Sequence, residues 1–84
     1  MQSSRRSVRE AEFTDFAASR MPQLYRTAWL LCGDRQKAED LVQETLIKVY
    51  ARWGPQIDSP IAYAQTALTR TWISQLRRPT WSRM

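Results

Sequence analysis

The chain has 84 residues and a net charge of +5, from 13 Lys or Arg against 8 Asp or Glu, with no histidine and a single cysteine. That length carries one domain with a modest core and excludes two. Cys32 alone excludes an internal disulfide, and the lack of histidine removes the commonest metal ligand and the default general base, so zinc and triad chemistry are not expected.

Periodicity predicts an all-α protein, a compact bundle of about four helices, and no convincing strand. Residues 1–9, with Arg5, Arg6 and Arg9 among serines, read as a flexible basic tail. The first helix covers about residues 10–20, with Phe13, Phe16 and Ala17 on one side and acids early, where the helix dipole favours them. Pro22 suits the first turn of a second helix and Gly33 the left-handed position just past its end. Between them Leu24, Tyr25, Ala28, Trp29, Leu31 and Cys32 make a wide apolar face, with Cys32 read as a small buried residue near a helix end rather than a redox sensor. Asp34 is the expected N-cap of a third helix, which Gly54-Pro55 ends. After the connector Gln56-Ile57-Asp58, Ser59 caps and Pro60 opens a fourth helix that runs to about Arg78 and stops at Pro79.

The third and fourth helices each show two faces. On the third, Ala38, Leu41, Val42, Thr45, Leu46, Val49, Tyr50 and Trp53 fall along one core-facing stripe. Opposite them Asp40, Gln43, Glu44, Ile47 and Lys48 form a polar surface around one branched apolar residue, a pattern that suits either a solvated face or a partner protein. On the fourth, Ile61, Ala64, Leu68, Trp72 and Leu76 point inward, while Tyr63, Thr66, Arg70, Ser74, Arg77 and Arg78 lie largely outside that stripe. Guanidiniums and hydroxyls pair with phosphates and base edges, and an aromatic can stack on an unpaired base, so this is a nucleic-acid kind of surface. Basic residues late in a helix also complement its negative end, which is reason enough for Arg77 and Arg78 alone.

Charge is polarised along the chain. Arg5, Arg6 and Arg9 make the first nine residues +3, residues 34–53 balance four acids with four bases, and Arg70, Arg77, Arg78 and Arg83 against Asp58 make residues 54–84 +3. Basic segments favour polyanions through counterion release; a neutral helix with exposed carboxylates favours a protein.

The order Arg26-Thr27-Ala28-Trp29-Leu30-Leu31-Cys32-Gly33-Asp34, then Ala38-Glu39-Asp40-Leu41-Val42-Gln43-Glu44-Thr45, then Ser59-Pro60-Ile61-Ala62-Tyr63 and Arg77-Arg78 resembles the promoter-melting domain (region 2) of extracytoplasmic-function sigma factors. It is nearest to the actinobacterial sigma-E-like group, and the resemblance covers roughly residues 12–78. It implies a sigma region 2 fold over residues 10–78. It also implies that Asp40, Gln43, Glu44, Ile47 and Lys48 dock on the clamp-helix coiled coil of the large RNA polymerase subunit. About Trp53 to Arg78 would then recognise the minus-ten element and hold its non-template strand after melting, with Gln56, Asp58, Ser59 and Tyr63 forming a pocket for a flipped base. Trp53 and Trp72 lie on apolar stripes and are read as core. Where many relatives carry Asn, this chain has Arg70, and where many carry Asp or Asn it has Ser74, which changes the chemistry offered to the strand.

Complete members of the family continue through a linker into a helix-turn-helix domain, region 4. Residues 79–84 look like the start of that linker, so the chain is expected to be a domain of a longer protein or a short natural relative. An anti-sigma partner is plausible. With no apolar run near the roughly 20 residues that span a bilayer, the expectation is a cytoplasmic protein with no membrane insertion. No cofactor, metal or enzymatic activity is expected. The competing readings are an independent helical DNA-binding repressor and a protein-interaction module without DNA contact.

Overall fold

The computed structural model describes the backbone of residues 2–77 and the side chains of residues 8–77. Three helices make up the bundle: α1 spans Gln2–Cys32, α2 Arg35–Ala51 and α3 Pro60–Arg77, with no strand among the described residues. Arg78, Pro79 and the expected linker at 79–84 lie outside the described residues.

The count is three rather than about four because the first two expected helices are one, running through Pro22. An interior proline normally costs about 3 kcal/mol through a lost hydrogen bond and a clash with the carbonyl four residues earlier. Here Pro22 and Ala18 both face solvent, so water can satisfy the Ala18 carbonyl. A continuous inward stripe, Phe13, Phe16 and Ala17 before the proline and Leu24, Ala28 and Leu31 after it, packs on the core and keeps the helix on course. The helix also begins at Gln2, inside the segment expected to be a basic tail.

Both junctions around α2 are built from local chemistry. Gly33 has φ of 65°, the left-handed conformation, and its N–H donates to the Trp29 carbonyl at 2.8 Å. A Cβ at Gly33 would meet nothing within 4 Å, so conformation rather than space is what calls for glycine. Asp34 is extended and its carboxylate accepts the Lys37 N–H at 2.9 Å, a full N-cap. At the start of α3 the Ser59 carbonyl accepts from Tyr63 N–H at 2.9 Å, and its hydroxyl accepts from Ala62 N–H at 3.4 Å.

The core holds Leu24 and Ala28 from α1, Ala38, Leu41, Val42, Thr45, Leu46 and Val49 from α2, and Ala64, Leu68 and Thr71 from α3. Fully buried Ala28, Ala38 and Ala64, one per helix, let the backbones approach closely. The expected α2 stripe is therefore met, with Tyr50 and Trp53 half-buried at its end. On α3 the expected stripe drifts: Leu76 is 63% exposed and Thr71 is buried in its stead. Successive steps of four advance 40° each around a helix, so Leu68, Trp72 and Leu76 rotate off the core, whereas alternating steps through Ala64, Leu68 and Thr71 stay on it. On α1, Trp29 is 45% exposed, which narrows the expected apolar face. Cys32 is half-buried, and burial pushes its thiol up from the usual value. Among the described residues no helix is long and apolar enough to cross a membrane.

Candidate functional site

The connector between α2 and α3 is tied down from three directions. Arg52 N–H and Trp53 N–H donate to the Val49 and Tyr50 carbonyls, each at 3.1 Å, and Ile57 N–H donates to Gly54 O at 3.2 Å. Gln56 Nε2 donates to the Arg52 carbonyl at 2.6 Å. A Cβ at Gly54 would stand 2.5 Å from Gln56 Oε1, so a larger residue there would displace the exposed Gln56 side chain from this bond. From the far side Arg9 of α1 donates through Nε to the Trp53 carbonyl at 3.0 Å and through Nη2 to the Tyr50 carbonyl at 3.1 Å, with its guanidinium 4.9 Å from the Tyr50 ring centroid. Trp53 is wedged against Phe13 and Phe16, with ring centroids 5.2 Å from each.

That bracing shapes a hollow of about 300 Å³ lined by Gln56, Asp58, Ser59 and Tyr63, the four residues singled out as a base pocket, together with Arg52, Ile57 and Ala62. Beside it, between the last turns of α2 and the first half of α3, a groove of about 390 Å³ is lined by Lys48, Arg52, Tyr63, Thr66, Arg70 and Thr71 with two alanines. Arg52 and Tyr63 line both, so hollow and groove adjoin. Tyr63, Thr66, Arg70, Ser74 and Arg77 follow one another at three- and four-residue steps; Thr66, Arg70, Ser74 and Arg77 are exposed and Tyr63 is half-buried. Arg78, expected in the same set, lies outside the described residues.

The polar face of α2 divides. Asp40, Gln43 and Ile47 point to solvent, Ile47 with 68% exposure. Asp40 and Gln43 rim a groove of about 690 Å³ between α1 and α2 that Met21 and Tyr25 also line. Glu44 and Lys48 turn instead toward α3: Glu44 Oε1 accepts from Gln75 Nε2 at 3.0 Å, Lys48 Nζ donates to Thr71 Oγ1 at 3.0 Å, and the two ions lie 3.7 Å apart. They form a polar seam, held apart from the outward three.

Two residues of this site escaped the sequence reading. Arg9 sits 41 and 44 positions from its acceptors, and no local pattern announces such a tie. Arg52 was legible in principle, because it follows Lys48 by one helical repeat and so shares its side of α2.

A small helical bundle with one surface of acid, amide and apolar groups and a second of cations, hydroxyls and an aromatic is built as a two-partner binding domain with a nucleic acid as one partner. The chain belongs to the sigma-70 region 2 family: the family model described as Sigma-70 region 2 matches residues 16–82. It is a sigma factor domain of the kind involved in promoter recognition and RNA polymerase binding, a family of transcription factors rather than of enzymes. Neither the curated proteins nor the solved structures compared with the chain gave a significant match.

Proposed function

We propose that the chain is a region 2 domain of the extracytoplasmic-function type, of the actinobacterial sigma-E-like group, and that its two surfaces divide the work. The outward α2 residues Asp40, Gln43 and Ile47, with Glu44 at their edge, dock on the clamp-helix coiled coil of the large polymerase subunit. The groove beside Asp40 and Gln43 gives a partner helix a channel to lie along. The connector hollow receives a base flipped from the non-template strand of the minus-ten element, and the α3 stripe from Tyr63 to Arg77 tracks the strand. Acting on polymerase and promoter, the domain works in the cytoplasm, and an anti-sigma protein that covers either surface would silence it.

The observation that carries this reading is the adjacency of a small hollow lined by Gln56, Asp58, Ser59 and Tyr63 and a cation-lined groove, the two sharing Tyr63 and Arg52. A duplex-reading repressor has no use for a hollow of that size in an irregular connector. Flipping costs a few kcal/mol of stacking and pairing, which hydrogen bonds from Gln56, Asp58 and Ser59 and stacking on Tyr63, worth about 1–3 kcal/mol, offset. The test is to titrate the chain, with bacterial core polymerase, against single-stranded and duplex oligonucleotides of the same sequence. Tighter binding of the single strand, lost in Tyr63→Ala, is expected; a preference for intact duplex that ignores Tyr63 sinks the reading.

A further inference from the structure

We infer that the connector hollow is selective for guanine, held between the Arg52 guanidinium and the Asp58 carboxylate. The inference rests on the base-pocket reading above and deepens it, from a site for an unpaired base to a site for one base in particular. It also adds Arg52 to the residues that face the base.

Two of the neutral polar groups around the hollow are already in use, and its two charges are not. Gln56 gives Nε2 to the Arg52 carbonyl at 2.6 Å, and Ser59 Oγ accepts the Ala62 N–H at 3.4 Å in the α3 cap. Asp58 and Arg52 both line the hollow. Among the described residues, however, the ion pairs are Arg35 with Glu39 and Lys48 with Glu44, so these two charges pair neither with each other nor elsewhere. The connector turn brings them to one space: the Ile57 N–H bond to Gly54 O, at 3.2 Å, reverses the chain and returns residue 58 toward the end of α2 that carries Arg52. A carboxylate in the wall also repels phosphate, which suits the hollow to a base and not to the strand's backbone.

A carboxylate offers acceptors only and a guanidinium donors only, so the occupant must present donors on one edge and acceptors on the next. Guanine meets both in bidentate form. Its N1–H and N2–H donate to the two carboxylate oxygens, while O6 and N7 accept two guanidinium N–H groups, the commonest specific contact of arginine with a base. Cytosine offers the carboxylate only its N4 amino group, with N3 and O2 left for Arg52. Adenine sets one amino group between two ring nitrogens, so each charge gains a single bond. Thymine has a lone N3–H between two carbonyls, and a carboxylate reaching for it meets both oxygens. Tyr63 supplies a face on which any base can stack, so stacking gives affinity and the two charges give the choice. In a duplex the N1–H and N2–H of guanine are bonded to cytosine, and Asp58 can be satisfied only once the base has left the stack. The residue that picks the base thereby also favours the melted strand.

A single strand selected from a random pool, with the full chain and bacterial core polymerase, provides the probe. An abasic scan then locates the position whose penalty vanishes in Tyr63→Ala, and guanine is expected there. Replacing it by cytosine, adenine or thymine should lower affinity roughly tenfold or more, thymine most, the scale of one bidentate pair. Two analogues separate the edges in the unaltered chain: inosine, which lacks the N2 amino group, and 7-deazaguanine, which lacks N7, should each lose about fivefold. Asp58→Asn should bring guanine and inosine to within about twofold of each other and keep the 7-deazaguanine loss, and Arg52→Ala should do the reverse. Both side chains are exposed, so the fold should tolerate either change. A preference for another base, four bases bound alike, or an Asp58→Asn chain that still separates guanine from inosine overturns the assignment to guanine and leaves the base pocket standing. An Arg52→Ala chain that still loses affinity for 7-deazaguanine relative to guanine overturns it too, since Arg52 would then touch something other than the base. A scan with no Tyr63-dependent position sinks the pocket and the guanine assignment together.

Discussion

The α1–α2 pair and the α2–α3 pair are held together by different physics. Between α1 and α2 the contact is apolar, Leu24 and Ala28 against Ala38, Leu41, Val42 and Val49, extended at one end by the Phe13, Phe16, Tyr50 and Trp53 rings. Between α2 and α3 the apolar contact, Ala64 and Leu68 with half-buried Ile61, Ala67 and Trp72, is joined by a polar seam: Lys48 to Thr71, Glu44 to Gln75, and Glu44 to Lys48. Burial of apolar area is non-directional and supplies stability, whereas hydrogen bonds between partly exposed groups supply little net energy but fix direction. Apolar burial in both pairs carries the fold, and the polar seam of the second adds direction, aiming side chains at what the domain binds.

The largest effect expected from that difference is in the oily half. Leu41 is fully buried on the central helix, and Leu41→Ala should cost about 3 kcal/mol, read as a drop in the urea midpoint at unchanged slope. In a domain of this size that is a large part of the total, so both binding activities should fall with it. A loss near that of a surface substitution would mean that α1 and α2 are not held by this core.

Next comes the hinge between the two oily helices. Gly33→Ala forces a Cβ into a left-handed conformation and should lower stability by roughly 1–2 kcal/mol, measured as a fall in Tm, while Gly33→Asn should recover part of it. Equal Tm values for Ala and Gly at this position would show that the turn has relaxed to another shape.

The brace from α1 to the connector ranks third. Arg9→Ala removes two hydrogen bonds to carbonyls and a cation over the Tyr50 ring. Because the site is part-exposed, the stability loss should be about 1 kcal/mol, but amide exchange over residues 53–59 should speed up well beyond that elsewhere. Uniform acceleration across all three helices would mark Arg9 as ordinary support for the bundle and not as a brace on the connector hollow.

What the sequence made legible follows the same divide between local and distant causes. Gly33, Asp34, Ser59 and Pro60 announced their turns because cap chemistry acts over three or four residues. The α2 stripe was readable because that helix is central and packs on both neighbours, giving its pattern a wide apolar arc. Pro22 misled because its local preference was outweighed by packing on either side, and Leu76 because a chain of four-residue steps was followed past the point where it leaves the core. The four pocket residues were proposed from resemblance, and the structure gathers them around one hollow. Lys48 and Glu44 were grouped with Asp40 by helical spacing and by the family resemblance. Which neighbour a helix flank faces depends on where the next helix lies, and only the fold decides that.

The smallest effect in energy is the sharpest test of the comparison. Thr71 is buried, and its hydroxyl is the acceptor that holds the Lys48 ammonium. Thr71→Val keeps the shape and replaces the hydroxyl with a methyl, while Lys48, half-exposed along its side chain, can turn to water. Neither group is left buried and unpaired, so stability should change by less than about 0.5 kcal/mol, the range for changes that strand no polar atom. Strand affinity should nevertheless fall severalfold, because an ammonium released to solvent must be ordered again when a phosphate arrives. A variant that loses stability and affinity in step would show the seam to be a structural tie like the rest of the core. One that keeps both would mean that Lys48 needs no aiming, and the division of labour between the two halves would have to be redrawn.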